Sequence, residues 1–289
     1  MTLLILRLCI GFHFFKEGAG KLTDPKPFSA AFFGAAKGPL APHFHQLVWD
    51  ADGRARLDAD QTVAAWGAYV ERAKSHYGFD AEQVKQADEK LARREEMLRA
   101  YLEGIASDVD EYLKGLDRRA ANRAEPARVE VPSLRGQSEK IETELKAKRG
   151  PWLAELDKQA LDLQRDVEQV ATPEQRAARG RLPVMKPGRR LLDSESMDRF
   201  IPYFDLVLGV LLLVGLFTRP ASLVAAAFLA SVIVTQWPGA YGAAPTYYQA
   251  IEVCALLVLA GANAGRCAGL DSVVDYLRSC CCRPKKASA

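Results

Sequence analysis

The chain has little of what most catalytic sites are made from. Its 289 residues include six cysteines and four histidines, and no cysteine lies between Cys9 and Cys254. No disulfide can therefore brace the middle of the chain, and no CxxCH segment offers haem attachment. The adjacent Cys280, Cys281 and Cys282 lack the CxxC spacing that lets two thiolates share a tetrahedral metal without strain. They fall on the side assigned below to the cytoplasm, where thiols stay reduced. His43 and His45 have no third ligand nearby, so no metal is expected. A glycine-rich nucleotide loop, a Ser-His-Asp set and an internal repeat are all missing. Charge of one sign is missing too: the net charge is +3, which excludes a nucleic-acid partner as the default.

What is present is sharply partitioned. Mean hydropathy is only −0.10, yet 58 of the 75 charged side chains lie between Asp50 and Arg199. The flanks hold nearly all the long apolar runs. A bilayer-spanning helix needs about 20 apolar residues, with roughly 17 as the lower limit. Three segments near the C-terminal end qualify: Ile201–Phe217, Ala221–Trp237 and Thr246–Gly265. Thr218-Arg219-Pro220 reads as the tight turn joining the first two. Trp237, Tyr241, Tyr247 and Tyr248 surround the next turn, where an interfacial aromatic belt belongs. Met1–Leu22 is a fourth span, interrupted by Arg7, His13, Lys16, Glu17 and Lys21. A signal peptide is disfavoured because no basic stretch precedes the apolar run. Buried helices of a soluble protein remain the alternative.

Basic residues in short loops set the orientation. Arg219, and Arg266, Arg278, Arg283, Lys285 and Lys286 after the last span, place that turn and both termini in the cytoplasm of a bacterial inner membrane. The insertion is then periplasmic. The expected fold is all-α: a four-helix transmembrane bundle with an extracytoplasmic, coiled-coil-like helical hairpin. Its parts are residues 1–45 (first span and interfacial segment), 46–199 (insertion) and 200–289 (three spans and a basic tail).

Within the insertion, Asp60 is positioned to cap a helix bearing Val63, Trp66, Val70 and Tyr77 and ending at Gly78. Val84, Ala87, Leu91, Leu98, Tyr101, Ile105, Val109, Tyr112 and Leu116 alternate by three and four, with a gap at Arg94. Ile141, Leu145, Trp152, Leu156, Leu163, Val167 and Val170 repeat the pattern. Such spacing puts an apolar seam on each arm, and Pro126, Pro132 and Gly136 break the chain between them. An arm of about 33 residues would reach roughly 50 Å. Gly150-Pro151 should kink the second arm, and residues 172–188 read as a linker. The charges suit a solvated surface, and residues 80–172 are the expected surface for a protein partner.

Ionisable groups inside spans are default site candidates. Cys9, His13 and Glu17 share one helix face. Asp205 lies about one turn inside its span and Glu252 under two, with Gln249 and Tyr248 a turn above Glu252. His13, Glu17, Asp205, Gln249 and Glu252 thus form a candidate ligand and proton site in the outer half of the bundle, able to serve a quinone headgroup or a small polar substrate. The alternative is helix glue, with Lys16, Lys21 or Arg7 neutralising the acids. Arg7 stands alone in the inner half. Lipid contact follows from the spans, and a homo-oligomer is compatible with them.

Arg7, Gly11, Gly18 and Lys21 in the first span resemble the opening of DoxX-family membrane proteins. So do Val214-Gly215-Leu216-Phe217-Thr218-Arg219-Pro220-Ala221, and Glu252 followed by Gly265-Arg266 and Leu270-Asp271. The likeness covers the first 40 or so residues and residues 200–272; the long insertion resembles planctomycete-type members. It implies a four-helix inner-membrane bundle, a quinone-linked redox complex of the thiosulfate or thiol type, and Arg7, Lys21, Asp205, Arg219 and Glu252 as pattern residues. Asp205 stands where glutamate is expected. The expectation is therefore a redox subunit; a non-enzymatic anchor or assembly scaffold, with the hairpin as binding arm, is the alternative.

Overall fold

The computed structural model describes residues 1–123, 125 and 131–281; the helix breaker Pro126 and the tail residues Cys282, Arg283, Lys285 and Lys286 lie outside them. Among the described residues the chain is all-helical, with one isolated parallel bridge between Lys37 and Gln236. In chain order the helices are α1 (Thr2–Thr23), α2 (Ser29–Gly34), α3 (Ala41–His45), α4 (Ala59–Tyr77), α5 (Ala81–Gly104), α6 (Ala106–Arg123), α7 (Pro132–Val170), α8 (Pro173–Arg179), α9 (Ser194–Val214), α10 (Thr218–Thr235), α11 (Tyr247–Gly261) and α12 (Leu270–Cys281). A 3₁₀ turn, Ala264–Arg266, separates the last two.

The chain forms two units, dividing after Trp49 and after Arg189 rather than at the expected 45 and 199. The second boundary comes early because Asp193 caps α9 through the Ser196 amide, and Ser194 is already tied to the first unit. The Ser194 amide donates to Leu47 O at 2.7 Å, and its hydroxyl accepts from the Trp49 amide at 3.0 Å.

In the first unit α1 and α9 run antiparallel in close contact. A Cβ on Gly18 would sit 2.5 Å from the Leu206 amide and 2.7 Å from Pro202 O; one on Gly209 would sit 2.3 Å from the Phe15 amide. Only glycine permits that approach. α10 packs along α11, and Ile10, Phe14, Leu208, Leu212, Ala225, Leu229, Leu256 and Leu259 share one core. The turn between α9 and α10 is not Thr218-Arg219-Pro220. It is Gly215-Leu216-Phe217, with Gly215 and Phe217 both left-handed, and Thr218–Pro220 form the first turn of α10. Proline is tolerated there because a first-turn amide has no intrahelical partner. On α9, Asp198 accepts from the Phe28 and Ser29 amides, supplying α2 with the cap that its N-cap residue Phe28 cannot.

The second unit has its own core of Trp66, Tyr69, Val70, Tyr77, Leu98, Tyr112, Leu116, Leu156, Leu163 and Val167. The expected two-armed hairpin becomes a packed bundle. α4 lies on α5 and α7, and the first arm divides at Gly104–Ile105 into α5 and α6. Asp58, not Asp60, caps α4, accepting from the Asp60 and Gln61 amides; Gly78 ends the helix in left-handed geometry. α7 continues through Gly150-Pro151. The stretch expected to be a linker holds α8, started by a reciprocal Thr172/Gln175 capping box. The seam gap at Arg94 is filled by ion pairs across the arms, to Asp166 at 2.7 Å and Asp162 at 3.7 Å.

Candidate functional site

The first unit carries large apolar side chains on its outside and a few polar groups buried within its apolar core. Ile5, Phe12, Tyr203, Val207, Leu223, Ile251 and Leu257 point outward and are at least half exposed, whereas Arg7 and Asp205 are 1% and 2% exposed and Thr218 and Ser222 are fully buried. Among the described residues, α10 is long and apolar enough to cross a membrane by length and composition. α11 is as apolar but has 15 residues, while α1 and the first half of α9 carry the charges that hold the site.

Three of the five candidate site residues fall in two pairs, with Lys21 as the fourth partner; Glu17 and Gln249 stand beside them. His13 Nδ1 lies 2.6 Å from Glu252 Oε1, joining α1 to α11. Lys21 Nζ lies 2.7 Å from Asp205 Oδ2, joining α1 to α9. The α1 register creates both: His13, Glu17 and Lys21 recur every four residues on one face. Glu17 is 3.8 Å from Lys21 and half exposed. The Lys21 ammonium also sits 5.3 Å from the Phe28 ring centroid, within cation–π range.

Each pair leaves an acceptor over. Glu252 Oε2 and Asp205 Oδ1 are buried without a hydrogen-bond partner, as is Gln249 Oε1, one turn from Glu252. Unpaired buried acceptors are unfavourable by about 1–3 kcal/mol each, so together they can take up donors. Lys16, Glu17, Gly20, Lys21, Lys26 and Phe28 border an open groove beside the Lys21–Asp205 pair.

Arg7 and Arg219 belong elsewhere. Arg7 does not neutralise the acids. Its guanidinium donates to the carbonyls of Ala264, Cys267 and Ala268 at 3.0, 3.3 and 3.2 Å. Asp271 completes this knot by accepting from the Phe217 and Thr218 amides at 2.7 and 2.9 Å, and its own amide donates to Gly215 O. Gly215 and Gly269 give the guanidinium room: a Cβ on either would lie within 2.6 Å of Arg7 Nη1. Arg219 is exposed on the first turn of α10. Carboxylate-to-amide capping over such a separation leaves no short-range signal, so the sequence does not single out Asp271.

Of the remaining candidates, His45 bonds Ala36 O at 3.2 Å and His43 is exposed. No group of three metal-capable side chains occurs among the described residues. In the second unit, Tyr112, Gly115, Arg118, Ile141, Glu144 and Lys148 line a groove between α6 and α7. No family model matches the chain, and no curated protein or solved structure shows significant similarity to it.

Proposed function

We propose that the first unit crosses a bacterial inner membrane as a four-helix bundle and holds a small polar or quinone-type ligand against His13, Gln249 and Glu252. In this reading it is the DoxX-like membrane subunit of a quinone-linked redox complex, of the thiosulfate or thiol type, with the inserted unit periplasmic and available to a protein partner. The carrying observation is the pair of orphaned acceptors, Glu252 Oε2 and Gln249 Oε1, beside the His13 imidazole in a bundle whose outer surface is apolar. An imidazole bonded to a carboxylate can pass a proton at Nε2 while the carboxylate steadies the charged ring. Quinone reduction takes two electrons and two protons. The pair offers a proton route, and the electrons come from the partner protein.

The second reading, a non-enzymatic anchor or assembly scaffold, is favoured by the Lys21–Asp205 bond, which ties α1 to α9 whether or not a ligand binds, and by the self-contained core of the inserted unit. Mild detergent purification followed by mass spectrometry of co-purifying proteins and lipids separates the two. Stoichiometric quinone with a redox partner, and its loss in Glu252→Gln, supports the redox subunit. Partner proteins without quinone, unaffected by Glu252→Gln, refute it in favour of the scaffold.

A further inference from the structure

α12 is amphipathic with an uncovered apolar side. At 100° per residue, Leu270, Val273, Val274 and Leu277 fall within one third of the helix circumference, while Asp271 and Ser272 fall on the other side. Leu270, Val273 and Leu277 are about half exposed, and Tyr276 at the edge of the stripe is more so. Such a face is unfavourable in water, and large exposed apolar patches mark surfaces that meet something.

Where the helix begins is fixed. Asp271, in its first turn, holds the Phe217 and Thr218 amides, and the Asp271 amide bonds Gly215 O. α12 therefore starts level with the turn between α9 and α10, beside exposed Arg219. That level is one end of the apolar bundle. The sequence from 266 to 289 is net basic, with five basic residues (Arg266, Arg278, Arg283, Lys285 and Lys286) against two acids, Asp271 and Asp275.

On the membrane reading above, we propose that α12 lies in the plane of an anionic phospholipid interface, with Leu270, Val273, Val274 and Leu277 among the acyl chains. Position, apolar stripe and charge all match that occupant. A helix of this kind sits at the boundary of headgroups and chains, and its affinity rises with buried apolar area and with anionic lipid. The Asp271 knot makes the contact consequential, because a lipid that holds α12 also holds the α9–α10 turn and, through Ala264 and Cys267, the Arg7 guanidinium.

The test uses the full chain with its native cysteines replaced by alanine or serine and single cysteines introduced as Val273→Cys, Ser272→Cys or Leu257→Cys. Each is labelled with an environment-sensitive fluorophore. The proteins are reconstituted in phosphatidylcholine vesicles containing about 30% phosphatidylglycerol, a level chosen to give an anionic surface, with lipid-borne quenchers. The Leu257 probe, on the exposed side of α11, reports the bundle itself. Strong quenching at Leu257 and Val273, several-fold weaker quenching at Ser272, and a marked fall at Val273 when phosphatidylglycerol is omitted support the interfacial helix. Quenching at Leu257 with equal, weak quenching at Val273 and Ser272 overturns it while leaving the bundle standing. Quenching at Val273 that ignores phosphatidylglycerol overturns the requirement for anionic lipid. No quenching at Leu257 overturns the membrane reading and this inference with it.

Discussion

The contact between α1 and α9 can be tested with two glycines two residues apart. Gly18 faces α9, where an added Cβ would lie 2.5 Å from the Leu206 amide nitrogen, 2.7 Å from Pro202 O and 2.9 Å from Leu206 Cα. All three are backbone atoms of a packed helix and cannot swing aside, so the helices must part by about 1 Å to restore van der Waals distances. Gly20, on the same helix, has nothing within 4 Å of its Cβ position. Alanine at either site improves helix propensity by up to about 1 kcal/mol. At Gly18 that gain is opposed by overpacking of about 1–3 kcal/mol and by stretching of the Lys21–Asp205 bond on the same interface. The expected net effect for Gly18→Ala is a Tm lower by roughly 2–8 °C for a chain of this size, while Gly20→Ala is unchanged or raised. Thermal unfolding of the two purified variants in one detergent, followed by tryptophan fluorescence or solubility, reads the difference. Equal Tm values would refute the close approach of α1 to α9, and with it the geometry that brings Lys21 to Asp205.

Two further outcomes follow from buried polar groups. Replacing Arg7 by lysine keeps the charge but removes the planar fork that reaches three carbonyls, so Arg7→Lys should lower stability by about 2–4 kcal/mol; a variant with wild-type Tm would show that the knot contributes nothing. In the second unit, burial first, then Glu168, pushes the Tyr69 phenol well above its ordinary pKa, and its hydroxyl has no hydrogen-bond partner. A phenol that keeps its proton when folded and releases it when unfolded favours unfolding as pH rises past about 10. Tyr69→Phe should therefore match or exceed wild type at neutral pH and flatten the alkaline fall in stability measured by circular dichroism. A variant less stable at pH 7 with the same alkaline slope would contradict this.

The helices were legible where periodicity is strong, and the partners were not. The apolar runs gave the segments that became α1, α9, α10 and α11, and Gly78 was visible as a stop because only a residue at ease with positive φ ends a helix that way. Asp58 and Asp60 are indistinguishable in the sequence as caps; the backbone amides they face decide, and those favour Asp58. A hairpin was expected because α5, α6 and α7 carry the long seams, while α4, whose apolar residues are as well spaced, gave no sign that it would pack on both arms. The Arg94 gap was visible, but its filling by Asp166 needs the register between arms. Arg7 illustrates the general limit: its three acceptors are backbone carbonyls, which every residue possesses. Lys21 and Asp205 are 184 positions apart, and nothing near either residue announces the other.

The hydrogen bonds from the Ser194 amide to Leu47 O and from the Trp49 amide to the Ser194 hydroxyl have a consequence for how such a chain can change. They pin together the two points where the inserted segment departs and returns, so the segment behaves as a removable cassette on a closed frame. Residues 50–189 can be lengthened, swapped for another self-folding module, or replaced by a short bridge without asking α1 and α9 to re-register. A lineage or an engineer can therefore rewrite what the protein presents outside the frame while the packing inside it is inherited unchanged.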